Sequence, residues 1–153
     1  MSEHKAIISW QRNGPDFLKG KFSRKHTWTF DGGITVAASS APSVVPVPFS
    51  NPAAIDPEEA FVASVSSCHM LSFLYVASKQ GFEIDSYTDE AVGHMAKNER
   101  GVPWVSTVEL NPKIAFGSQR VPSGQELEHL HHSAHEQCFI ANSIKTEVKV
   151  NPA

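Results

Sequence analysis

The first mostly apolar run, residues 6–10 (Ala-Ile-Ile-Ser-Trp), reads as a short opening strand. Residues 11–21 hold Asn13, Gly14, Pro15 and Gly20 and read as a loop. Phe22, His26, Trp28 and Phe30 then interleave with Ser23, Lys25, Thr27 and Thr29, a period of two that predicts a second strand. Asp31-Gly32-Gly33 supplies a hairpin turn into a third strand over 34–38. Residues 39–55 carry Pro42, Pro46, Pro48 and Pro52. Proline removes ladder donors and breaks helices, so this segment reads as an extended surface crossing, a length of loop often kept for function.

A different period follows. Asp56 is a good helix N-cap, Pro57 suits the first helical position, and Glu59 stands where a capping box needs it. No Gly or Pro interrupts 60–77, and Gly81 marks the stop. A helix over 57–80 spans about 36 Å at ~1.5 Å per residue. It is small or apolar nearly all round, so it must be covered on most sides. Ser64, Ser66, Ser67, Cys68, His69 and Ser72 argue against a membrane span. Covering such a helix within 153 residues is hard for one copy alone, and burial by the same helix of a second subunit predicts a homodimer.

Residues 86–95 and 104–116 read as two long strands joined by a turn at Asn98-Glu99-Arg100-Gly101. A second helix starts at Ser123 with Glu126 in capping-box position, and its apolar stripe is Leu127, Leu130, Ala134 and Cys138. Residues 145–150 alternate again as a last strand. The order predicts an α+β fold with mostly antiparallel sheets around a long buried central helix, in one domain over 1–153.

Composition narrows the function classes. Thirteen Lys and Arg against sixteen Asp and Glu leave a net charge of −3, which gives no electrostatic support for nucleic acid or an anionic membrane as partner. Two cysteines cannot build a disulfide-rich scaffold or a four-thiolate metal site. The polar start, Met-Ser-Glu-His-Lys, lacks a signal peptide's apolar core, so a soluble cytoplasmic protein is the expectation.

The chemistry-bearing candidates are the cysteines and the histidines. Cys68 falls mid-way along the long helix and Cys138 near the end of the second. Both also read as small core residues, and free cysteine is commonly buried. A pair brought to a Cα separation of roughly 4.4–6.8 Å would cycle between dithiol and disulfide, but only tertiary structure can join residues so distant in the chain. His131 and His135 stand at i, i+4, a spacing used by zinc sites, while His129 and His132 lie on other faces. No His-Glu-x-x-His pattern accompanies them, and such a cluster more often forms a polar helix face. A metal-binding protein is therefore the second reading, and no metal is assigned. His69 adjoins Cys68 but points ~100° away from it on the helix.

The run Asp56-Pro57-Glu58-Glu59-Ala60-Phe61-Val62-Ala63-Ser64-Val65-Ser66-Ser67-Cys68-His69-Met70 resembles the signature helix of the OsmC/Ohr family of thiol-dependent hydroperoxide reductases. That pattern is Asn-Pro-Glu, then small and apolar residues, then the reactive Cys ten positions after the Glu; Glu58 and Cys68 keep the spacing. Cys138-Phe139-Ile140-Ala141-Asn142-Ser143, leading into the last strand, is similar to the family's second cysteine region. The resemblance implies an OsmC-like intertwined homodimer that needs no cofactor. It implies a peroxidase in which Cys68 attacks organic hydroperoxides, and hydrogen peroxide more slowly. Cys138 resolves the product as an intramolecular disulfide, and an external thiol, lipoyl-bearing in some members, reduces it. The alternative is a non-catalytic or metal-binding protein that keeps the fold.

A thiol in an apolar shell ionises reluctantly, so a reactive one requires a cationic neighbour. The resemblance supplies an Arg held by the signature Glu. Arg24 is the choice and Arg12 the runner-up, because Val47-Pro48-Phe49, where OsmC-type members carry their Arg, has none. Ten residues of helix separate Glu58 from Cys68 by about 15 Å, so either Arg24 spans between them or, the preferred reading, Glu58 and Arg24 serve the partner subunit's Cys68. Phe49, Phe61, Met70 and Phe73 are the expected apolar lining for a bulky hydroperoxide.

Overall fold

In a computed structural model that describes residues 1–117 and 119–153, the chain divides into two compact units, Met1–Ala60 and Phe61–Ala153. The first unit holds β1 (Ala6–Ser9), β2 (His26–Phe30) and β3 (Thr35–Ala38), an antiparallel sheet in that order. Register is set where the turn residues stood: Ala6 faces Phe30 and Trp28 faces Val36, with Gly33 at φ 92° donating its N–H to Phe30 O at 2.9 Å. The loop between β1 and β2 closes over its own aromatics, with Phe17 and Phe22 ring centroids 4.7 Å apart and Trp10 against both.

The segment 39–55, expected to be extended, is instead a run of turns tied down internally. Ser39 is buried, its Oγ accepts the Asn51 N–H at 2.9 Å, and Ser39 N–H donates to Ile55 O at 3.0 Å. Prolines that cannot join a ladder leave the backbone groups between them to be paired locally by serine and asparagine side chains.

Helix α1 runs Pro57–Lys79 and opens on the predicted capping box: Asp56 Oδ1 accepts from Glu59 N–H at 2.8 Å, and Glu59 Oε1 accepts from Asp56 N–H at 2.7 Å. In the second unit follow β4 (Ile84–Asp89), β5 (Val92–Lys97), β6 (Pro103–Leu110), β7 (Pro112–Phe116), α2 (Gly124–Gln137) and β8 (Glu147–Val150). The two long strands read from the sequence are thus four. β4 pairs with β7, β5 pairs with β6, and β8 joins β6 in parallel. The break sits at one junction. Asp89 Oδ1 accepts the Asn111 N–H at 2.6 Å, Asn111 Nδ2 donates to Glu90 O at 3.0 Å, and Pro112 brings no ladder donor.

Two apolar clusters lie along α1. Val65 packs with Val108 and Leu110 of β6, flanked by Phe61, Val62, Val148 and Val150. Phe73, Val76 and Ala77 pack with Phe82 and with Leu130 and Ala134 of α2. Gly93 admits the first of these contacts, since a Cβ there would lie 2.5 Å from the Val62 methyl. The stretch 66–70, between the clusters, carries the polar and thiol groups. Among the described residues of α1, Leu71 is 61% and Tyr75 57% exposed.

Candidate redox site

α1 and α2 bring Cys68 and Cys138 together. Their predicted helical positions place Leu130, Ala134 and Cys138 on the face of α2 that is buried, while Cys68 is half-buried on α1. Both cysteines are free thiols. Burial pushes the Cys138 thiol up to about 11, reinforced by its hydrogen bond with Cys68. The backbone after α2 folds back over the pair. Ile140 N–H donates to Cys68 Sγ at 3.5 Å, and Ala141 N–H donates to Cys138 Sγ at 3.4 Å. These two donors come from a short 3-10 turn, Ala141–Ser143, and its entry, whose Asn142 side chain donates to Glu136 O and Cys138 O at 2.9 Å each. The arrangement is a reduced dithiol whose sulfurs are already neighbours and face backbone N–H groups, which favour developing negative charge on sulfur.

Beside the thiols lies a polar pair, and it is His131 that pattern reading did not place in the core. His69, one residue after Cys68, is buried, and its Nε2 lies 3.0 Å from Nδ1 of His131 on α2. Burial, and for His69 the neighbouring His131 and His135, pull both imidazoles down to about 4, so the pair is neutral at physiological pH. His131 packs at a tilt against Phe73, with ring centroids 4.5 Å apart. The histidine cluster is therefore not a solvated face throughout. Its buried member sits between Leu130 and Ala134 in the apolar stripe, and that spacing was the available signal. Asp89 anchors the same region from β4 by accepting the Ser66 hydroxyl, and burial raises the nearby Tyr87 hydroxyl above the usual phenol range.

The remaining predicted residues are placed as follows. Phe73 is fully buried in core packing, and Phe61 packs at the edge of the β6 cluster. Met70 is half-buried on α1. Arg24, Phe49 and Glu58 belong to the first unit. Arg24 Nη1 donates to the carbonyls of Gly20, at 3.0 Å, and of Phe22, and its guanidinium lies 3.6 Å from the Phe22 ring centroid. The Arg24 N–H donates to Phe49 O at 2.8 Å, which couples these two residues through the backbone. Glu58 is half-buried in the first turn of α1, where the helix dipole favours a carboxylate.

A family model described as OsmC-like protein matches residues 50–153. The chain belongs to the OsmC-like family. A solved OsmC-like protein of unknown function from Vibrio cholerae is 52% identical over 100% of both chains, with a TM-score of 0.96. An organic hydroperoxide resistance protein from Legionella pneumophila is 17% identical, covering 100% of this chain and 99% of its own, with a TM-score of 0.73. One from Bacillus subtilis is 20% identical, covering 97% and 98%, with a TM-score of 0.64; these two likenesses speak to fold. None of the curated proteins compared with the chain matches it. By length and composition α1 would suffice to cross a membrane. In the OsmC-like fold it is a core helix, with Val65, His69, Phe73, Val76 and Ala77 buried, and the chain is that of a soluble protein.

Proposed function

We propose that this OsmC-like protein is a cytoplasmic thiol peroxidase acting on organic hydroperoxides, with hydrogen peroxide the poorer substrate. The observation that carries the reading is the contact between Cys68 and Cys138, two free thiols from different helices. Membership of the OsmC-like family and likeness in fold to organic hydroperoxide resistance proteins support it.

In the proposed cycle the Cys68 thiolate attacks the terminal peroxide oxygen, the O–O bond breaks, and the alkoxide leaves as alcohol after taking a proton. Cys68 becomes a sulfenic acid. Cys138 then attacks the Cys68 sulfur. Its raised pKa keeps its proton in place until this step, where that proton leaves with the sulfenic hydroxyl as water. The products are one alcohol, one water and a Cys68–Cys138 disulfide, and an external dithiol carries in the two electrons that restore the thiols. Ile140 N–H supports charge on Cys68 sulfur throughout.

The cation is assigned to Arg24, oriented by two carbonyls and the Phe22 ring, with Glu58 as its carboxylate, acting on the partner subunit's thiol in a homodimer. Phe49 and Met70 are assigned to the apolar approach, with Phe61 and Phe73 behind it. Arg24→Met is expected to slow peroxide consumption by orders of magnitude, and unchanged kinetics would transfer the role to Arg12. The reading as a whole is tested by titrating thiols before and after one equivalent of tert-butyl hydroperoxide. Two thiols per chain should disappear and return with a dithiol reductant; retention of both thiols overturns it.

A further inference from the structure

The histidine stripe of α2 is not used by the dithiol chemistry. His131 and His135, one turn apart, line a pocket of about 310 Å³ with Glu128 and His132 of the same helix, Val148 and Val150 of β8, and Pro152. His131 is only 4% exposed. Its Nδ1 is occupied by His69 Nε2 at 3.0 Å, so Nε2 is the ring nitrogen on the side away from His69. That buried Nε2 has no hydrogen-bond partner among the described residues, and neither has the buried Nδ1 of His135.

One hydrogen bond between two neutral imidazoles holds one proton, which links the tautomers of both rings. When His131 Nδ1–H donates to His69, His131 Nε2 carries a bare lone pair. An imidazole with one nitrogen free to ligate and the other donating to a fixed acceptor is the arrangement that orients metal-bound histidine. The i, i+4 spacing puts the His135 ring on the same side of α2.

From this we propose that the pocket binds one divalent transition-metal ion, of the zinc class, through His131 Nε2 and His135 Nδ1. Imidazole donors select zinc, copper or nickel over magnesium or calcium. Among the described residues no three His, Cys, Asp or Glu side chains converge on one point. The protein accordingly supplies two nitrogens, and water together with the exposed Glu128 carboxylate, once turned about its side-chain bonds, completes the tetrahedral shell. His69 is the positioning residue of the site. The proposal does not depend on peroxidase activity.

The test is isothermal titration of the reduced full-length protein with zinc alone, repeated on His135→Gln, on His69→Gln, on the exposed His129→Gln and on Cys68→Ser, each checked for fold by circular dichroism. Saturable binding of one zinc per chain is expected, weakened at least tenfold by His135→Gln and unchanged by His129→Gln and Cys68→Ser. His69→Gln should weaken it by about 10–100-fold, the usual cost of losing an outer-shell partner. If His69→Gln fails to fold, the His135→Gln comparison decides alone. Absence of saturable binding, binding indifferent to His135→Gln, or binding lost with Cys68→Ser overturns the site, the last by moving the ion to the thiols.

Discussion

At the scale of single residues, the two thiols are neighbours but sit in different surroundings. Cys138 is buried against Cys68 and held protonated, while the more accessible Cys68 receives the Ile140 N–H. Under the proposed cycle, Cys138→Ser should still consume one equivalent of hydroperoxide and accumulate a sulfenic acid that dimedone traps. Cys68→Ser should consume none. Dimedone labelling read by intact mass separates the two, and identical behaviour would remove the asymmetry of roles. The imidazole pair predicts a pH effect. In the folded chain His69 and His131 take up protons only near pH 4, against about 6.5 for an unperturbed histidine. Below 6.5 the unfolded chain binds protons that the native state refuses, so stability is full above pH 6.5 and falls as pH drops towards 4. Asp89 opposes the shift at His131 and His135 adds to it at His69. Urea midpoints at pH 7.5 and 4.5 should differ with that sign, and equal midpoints would place the pair in solvent.

At the scale of elements, α1 is a scaffold with a chemical middle. Its two apolar segments anchor on different partners, Val65 on β6 and Phe73 on α2, and the stretch between them is thereby held against Cys138 and His131. Phe73 is fully buried and touches both Tyr87 and His131. Truncating such a ring removes its transfer free energy and leaves a cavity, about 3–5 kcal/mol together. Phe73→Ala should lower the denaturation free energy by that amount and loosen α1 on α2, measurable as slower disulfide formation on mild oxidation. A stability change within 1 kcal/mol, below the ordinary range for core truncation, would mean that the ring is not part of the core.

At the scale of the whole molecule, the exposed apolar residues of α1 bear on the proposed homodimer. Leu71 and Tyr75 are large apolar side chains exposed on a helix that buries Val65, His69, Phe73, Val76 and Ala77, and their exposure in one chain is a reason for a second copy to cover them. Sedimentation at micromolar concentration is expected to give a homodimer. Tyr75→Glu combined with Leu71→Glu should shift it towards monomer, because burying two carboxylates without partners is costly. A wild-type monomer at that concentration would remove both the dimer and the in-trans assignment of Arg24.

Much of this was legible one residue at a time. The capping box at Asp56, the N-cap at Ser123, the hairpin at Asp31-Gly32-Gly33 and the buried stripe of α2 depend on neighbours within a few positions, so local sequence determined them. The signature around Cys68 likewise announced the family before any coordinates. Other features required distant parts of the chain. Two strands became four because Asp89 and Asn111 meet across a junction, and 39–55 folded into turns because Ser39 found Asn51. His131 entered the core because a buried partner, His69, was sixty-two residues away to accept or give its proton. The meeting of Cys68 with Cys138 is of the same kind. Helical periodicity determined which face each sulfur occupies, and only the packing of α1 on α2 decided that the two faces are turned towards each other.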